Sequence, residues 1–127
     1  MLKRRREIIE KFDCALKPLG VMTLNHYNED VESSGHLYLT RIPNISMEER
    51  NEIIIKMAER GIACNVHYKP LPMHTAYKKL GFDIKDYPNA YKQFENEVTL
   101  PLHTSLSDDD VDYIIKNYTE IIKEYIR

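Results

Sequence analysis

Val111, Ile114, Ile115, Tyr118, Ile122, Tyr125 and Ile126 recur at helical spacing and form one apolar stripe. Ser107-Asp108-Asp109-Asp110 stands just ahead of the stripe, and Lys123 and Arg127 stand in its final turn. A serine there accepts a hydrogen bond from the orphan N–H groups of a first turn, and the acids face the positive end of the helix dipole. The segment after Ser107 therefore folds as an amphipathic helix, and the rest of the chain must supply an apolar surface for it to cover.

That surface is predicted to mix strands with helices. Ile8, Ile9, Phe12, Ala15 and Leu16 fall on one face of a helix over residues 3–16, which Pro18-Leu19-Gly20 stops. This helix has no Ser, Thr, Asp or Asn to cap its start. Residues 21–24 and 35–42 read as strands, the second closed by Pro43. Ser46-Met47-Glu48-Glu49 is a capping box opening a helix with Ile53, Ile54, Met57 and Ala58 inward, ended by Gly61. A strand over 62–67, short helices over 75–80 and 89–96 and a strand over 98–100 complete the pattern. No regular βαβ rhythm runs through it, so the expected class is α+β: a small antiparallel sheet of three or four strands with helices on one face. At 127 residues it is a single domain, 1–127.

Composition excludes several classes of function. Eighteen basic against twenty acidic residues leave a formal charge of −2, so no global field draws the chain to nucleic acid or an anionic membrane. Ile8 and Ile9 are followed at once by Glu10 and Lys11, which is no signal-peptide core. No apolar run reaches membrane-span length. Cys14 and Cys64 carry no pairing signature and read as buried reduced thiols, so the expected compartment is the cytoplasm. The Lys3-Arg4-Arg5-Arg6 run reads as a solvated helix end.

Two proline-stiffened rims hold the candidate ligand contacts. His67 and Tyr68 end the 62–67 strand where Lys69-Pro70 forces an extended turn, and Pro70 and Pro72 lock that turn. Pro101-Leu102-His103 ends the 98–100 strand in a similar way and is expected to join the first rim at a ligand-facing edge. Cys64 and His67, three apart on a strand, point to opposite faces, so they do not form a zinc pair, and Cys64 is read as core. Arg41 shares a strand face with Leu37 and Leu39 and needs an anion, either an internal carboxylate or a ligand. His74 and His103 have no nucleophile at recognisable spacing. No phosphate loop, Ser-His-Asp order or HExxH motif is present, so no catalytic residue is assigned and no metal is expected.

The ordered set His67-Tyr68-x-Pro70-Leu71, Tyr77 with Gly81, Tyr87-Pro88-Asn89-Ala90 and Leu100-Pro101-Leu102-His103-x-x-Leu106-Ser107 resembles the DegT/DnrJ/StrS family. These are pyridoxal-phosphate-dependent sugar-nucleotide aminotransferases. The resemblance runs over nearly the whole chain and matches the smaller, C-terminal domain of a fold-type I enzyme. It implies a large domain ahead of residue 1 that carries the cofactor-binding lysine, with residues 1–17 as the remnant of an interdomain helix. The implied parent moves an amino group from an amino acid, usually glutamate, to a keto-sugar nucleotide, with pyridoxal phosphate as cofactor and none held covalently by this chain.

On the same resemblance His67 and Tyr68 contact substrate, with Arg41 as a carboxylate or phosphate clamp. Family members often continue Pro-Leu-His, but position 72 here is proline, and His74 is the replacement two residues on. Two rival readings are a free-standing α+β module binding a small ligand at the two rims and a structural oligomerisation domain. The uncapped first helix favours the domain of a larger enzyme. An apolar face left uncovered by a large domain predicts a homo-oligomer.

Overall fold

The computed structural model describes residues 1–127. Five helices, α1 (Leu2–Leu16), α2 (Met47–Glu59), α3 (Thr75–Lys79), α4 (Pro88–Glu95) and α5 (Asp108–Ile122), surround three short strands. These are β1 (Met22–Thr23), β2 (Tyr38–Arg41) and β3 (Glu97–Leu100), in the order β1-β2-β3 with both pairings antiparallel. No helix is long and apolar enough to cross a membrane.

Register decides which residues share a face. Tyr38 pairs with Leu100 and Thr40 with Val98, while Leu39 pairs with Thr99 and Arg41 with Glu97. Because strand side chains alternate, Tyr38, Thr40, Val98 and Leu100 form the inner face. Against it pack Ile8, Ile9, Phe12 and Leu16 of α1, Ile53 and Met57 of α2, and the apolar stripe of α5 in one continuous core. Two buried hydroxyls are satisfied inside it. Thr40 Oγ1 donates to the Val98 carbonyl at 2.6 Å, which leaves Tyr118 Oη as the donor to Thr40 Oγ1, also at 2.6 Å. The α+β class and the helices on one face are as the sequence predicts, with three strands in the sheet.

The caps form as the sequence predicts. Ser46 and Glu49 close a reciprocal capping box on α2, and Ser107 and Asp110 do the same on α5. Opening α1 is Met1, with no side-chain hydrogen bond. Three expectations need correction. Ala58 is exposed, and the third buried position of α2 is Arg50, one turn before Ile53. Cys14 is an exposed free thiol, because the buried stripe of α1 runs through Phe12 and Leu16 instead.

The expected strand over 62–67 reduces to a single antiparallel bridge between Asn65 and Thr99. Side chains end it: Asn65 Oδ1 accepts the Val66 N–H at 2.7 Å, and the Glu97 carboxylate takes the His67 N–H at 2.8 Å. Neither N–H remains for a backbone ladder. The alternation read from the sequence survives, with Ile62 buried, Cys64 and Val66 half-buried, and Ala63 and Asn65 exposed.

Gly35, at φ +63°, lies directly on α1. A Cβ there would stand 3.1 Å from Arg5 Cβ and 3.1 Å from Ile9 Cδ1, and Arg5 Nη1 donates to the Gly35 carbonyl at 2.9 Å. Gly20 has a similar left-handed φ of +83° but open space around it. Gly20→Ala is therefore expected to lose about 1–2 kcal/mol, the left-handed penalty alone. Gly35→Ala is expected to lose more, because backbone strain and overlap with α1 add. Urea denaturation of the two variants checks this, and equal losses would contradict it.

Candidate functional site

β3 builds the site by presenting two polar side chains, Glu97 and Thr99, on the sheet's outer face. Both are buried, because the 65–68 segment folds over them. Glu97 Oε2 accepts the backbone N–H of His67 at 2.8 Å, and Glu97 Oε1 accepts the Thr99 hydroxyl at 2.5 Å. Thr99 Oγ1 in turn stands 2.9 Å from His67 Nδ1. The imidazole is thus tied to β3 at its backbone and at one ring nitrogen. Tyr68 meets it edge-on, ring centroids 4.5 Å apart, and leaves its own ring 71% exposed. Burial holds the His67 imidazole below its ordinary pKa, and the neighbouring His36 pushes in the same direction.

A fully buried carboxyl needs compensation. Beyond the two hydrogen bonds, the guanidinium of Arg50 provides it. Arg50 is 2% exposed, stacks on the Phe94 ring at 4.5 Å, and its Nη1 points at the Glu97 carbonyl at 3.4 Å. Desolvation still dominates: it raises the Glu97 pKa, against the Thr99 and His67 hydrogen bonds and Arg50, and it lowers that of Arg50 against the pull of Glu97. Sequence reading missed Glu97, Thr99 and Arg50. The signals were present, since Glu97 and Thr99 alternate with Val98 and Leu100, and Arg50 shares helical spacing with Ile53 and Met57.

The remaining site residues read from the sequence do not join His67. Arg41 Nε donates to Asn96 Oδ1 at 3.0 Å and its Nη2 to the Lys92 carbonyl at 2.8 Å. Its partners are neutral oxygens at the C-terminal end of α4, a helix-end role for a cation rather than an internal carboxylate pair. His74 turns back on its own loop, with Nε2 3.2 Å from the Lys69 carbonyl.

Nor do the two rims meet. The Asn65–Thr99 pairing is antiparallel, so residues beyond Thr99 run beside residues before Asn65. His103 accordingly lies with Gly61, Ile62 and Ala63 in a cleft of about 430 Å³ at the start of α5, while His67 lies beside Glu97. Cys64 packs against the core, and burial pushes its thiol up to about 12. No three His, Cys, Asp or Glu side chains gather as a metal site.

His67 and Tyr68 therefore stand on an open sheet face, not inside a closed pocket. Leu37 and Leu39 continue that face as half-buried side chains. They line a shallow cleft of about 480 Å³ with Leu24, His26 and His36. The arrangement can offer an imidazole and a phenol ring to a ligand that a second body holds against the face.

The architecture is that of the pyridoxal-phosphate-dependent sugar aminotransferases of fold type I. Spr1654 of Streptococcus pneumoniae, named as a sugar aminotransferase and solved in PLP and PMP forms, superimposes its PLP form with a TM-score of 0.95 and 52% identity. That match covers 100% of this chain and 32% of the other. The profile of the DegT/DnrJ/EryC1/StrS aminotransferase family matches residues 1–119, and the chain belongs to that family. The spore coat polysaccharide biosynthesis protein SpsC of Bacillus subtilis is 32% identical over 97% of this chain and 32% of its own length. A UDP-4-amino-4,6-dideoxy-N-acetyl-beta-L-altrosamine transaminase of Helicobacter pylori is 25% identical over 98% of this chain and 33% of its own length. The chain thus spans about a third of the length of the relatives it matches.

The raised pKa of Glu97 sets the sign of a pH effect. An acid that holds its proton more tightly when folded weakens the fold as pH rises from the unfolded carboxyl value of about 4.3 to its own folded value. Glu97→Gln does not titrate. Its stability relative to wild type is therefore expected to improve as pH rises from about 4 to about 7. Urea melts at the two ends measure this, and a difference independent of pH would contradict it.

Proposed function

We propose that this chain is the C-terminal domain of an aminotransferase that moves an amino group from an amino acid, glutamate foremost, to a keto-sugar nucleotide. In this reading residues 1–127 are the small domain, residues 1–17 are the lower part of a helix joining it to a large domain, and the cytoplasm is the compartment. The observation that carries the reading is the His67–Tyr68 edge: two ligand-competent rings held rigidly on an open face of a domain that makes up a third of its relatives. A large domain placed against that face would complete a closed site, and the half-buried Leu37 and Leu39 would pack beneath it.

The cofactor of the parent is pyridoxal phosphate, and the side chains of this chain do not fit it as a covalent holder. Such a holder is an unprotonated lysine in an enclosed site. None of the lysines here is buried. Lys11, Lys17 and Lys56 are ion-paired with Asp112, Asp13 and Glu124, and the others are exposed. What the chain contributes is contact and orientation. His67 takes a hydrogen bond from the sugar nucleotide, and the exposed Tyr68 ring lies flat against a sugar or base. A second copy of the parent would give the homo-oligomer expected of an uncovered apolar face.

The test is His67→Ala in the enzyme that contains this domain. Turnover of the sugar nucleotide is expected to fall roughly tenfold to a hundredfold, the loss of one buried hydrogen bond. Cofactor content, read from its absorbance, is expected to stay unchanged. Cofactor lost in proportion to turnover would show that His67 serves the fold or the cofactor instead.

A further inference from the structure

His67 has two ring nitrogens, and the hydrogen-bond chain beneath it decides which one carries the proton. The chain starts at an obligate donor. The backbone N–H of His67 occupies Glu97 Oε2, and the Thr99 hydroxyl donates its only proton to Glu97 Oε1. With Glu97 ionised, Thr99 Oγ1 then has lone pairs and no proton left for its other partner. His67 Nδ1, 2.9 Å away, must be the donor in that contact. A neutral imidazole carries one proton, so Nε2 is left bare. Nε2 has no partner within the chain, and it is not among the buried unsatisfied nitrogens, so it reaches solvent on the open face.

We propose that Glu97, acting through Thr99, is the positioning residue of this site: it holds His67 in the Nδ1–H tautomer and turns Nε2 outward as a hydrogen-bond acceptor for a hydroxyl or N–H of the substrate. The recognised group is thereby specified by chemistry. The site takes a donor such as a sugar hydroxyl or an imide N–H, and it disfavours a bare carbonyl or phosphate oxygen at this position, which a lone pair on Nε2 would repel. Arg50 belongs to the same device, because its charge favours the ionised, acceptor-only Glu97 against the burial that favours the protonated one. With a proton on Glu97 the chain could run in reverse, with the carboxyl donating to Thr99, Thr99 donating to Nδ1 and Nε2–H facing the substrate.

The inference rests on the reading of His67 as a substrate contact, but its test needs neither substrate nor parent enzyme. Nitrogen-15 NMR of this 127-residue chain at pH about 8, above the ordinary carboxyl and imidazole values, distinguishes a protonated from a bare ring nitrogen. Wild type is expected to show His67 protonated at Nδ1 and bare at Nε2.

Glu97→Gln reverses the logic. The amide oxygen must stay on the His67 N–H, the amide NH₂ then donates to Thr99, and the Thr99 proton is released to Nδ1. The bare signal is expected to move from Nε2 to Nδ1. Thr99→Val, nearly the same shape without the hydroxyl, is expected to move it likewise, and it keeps the test open if the first variant does not fold. Wild-type His67 protonated at Nε2 would overturn the proposal. So would an Nδ1–H form that persists in both variants, because the relay would then not set it. A confirmed relay alongside a His67→Ala enzyme of normal turnover would leave the tautomer standing and remove its role in substrate binding.

Discussion

A buried carboxyl on the central strand pair holds the functional edge of this domain together. Glu97 is fully covered, yet it faces away from the apolar core, and its two oxygens accept from the His67 backbone and the Thr99 side chain. The bond to the His67 N–H, with that of the Val66 N–H to Asn65 Oδ1, stops the 62–67 segment from becoming a strand and turns it outward after Asn65. The outward turn is what brings His67 and Tyr68 to the open face. Without Glu97 the segment would have an unsatisfied N–H at His67 and no reason to leave the sheet edge there. Arg50 stands behind this strand from α2, its Nη1 3.4 Å from the Glu97 main-chain carbonyl, so the helix layer and the site share one buried polar cluster.

The sequence and the structure agree where one local rule settles the outcome. The α5 stripe, the Ser46–Glu49 capping box, the Ser107 cap and the uncapped start of α1 were legible because periodicity and side-chain hydrogen bonds act within a few residues. The antiparallel sheet with helices on one face followed from the mixture of elements. What was not legible depends on which distant residues meet. Arg41 reads as an anion clamp until β2 is placed beside the end of α4, where two carbonyl oxygens take it. The rims at 67–68 and 101–103 look like two halves of one edge in the sequence. A single antiparallel bridge at Asn65 sends them in opposite directions. His67 and Tyr68 were read as ligand contacts from their place at a stiffened turn and from the family resemblance, and the structure places both on an open sheet face. Glu97, Thr99 and Arg50 hold His67 in place, and they were missed because alternation shows that a polar residue leaves the core face but not what covers it.

Family membership and site geometry bear on different parts of the function. The profile match and the pneumococcal structure establish an aminotransferase family and its cofactor chemistry. The geometry adds that this chain carries no enclosed lysine and no metal cluster, but does carry a rigid His–Tyr edge on an unroofed sheet face. Under the proposed function, a domain of this kind would supply recognition to a reaction whose chemistry is carried elsewhere. Substrate choice would then rest on a few side chains held from beneath, His67 foremost.

The most direct test of this division is a chimaera in which this chain replaces the corresponding third of the pneumococcal Spr1654. The absorbance of the bound cofactor is followed as an amino donor and then a panel of keto-sugar nucleotides are added, with intact Spr1654 as the control. A recognition role for this domain predicts a chimaera that binds the cofactor and exchanges between its PLP and PMP forms with both kinds of substrate. A folded, cofactor-loaded chimaera that accepts the amino donor yet passes the amino group to no keto-sugar nucleotide, while the control does, would contradict it.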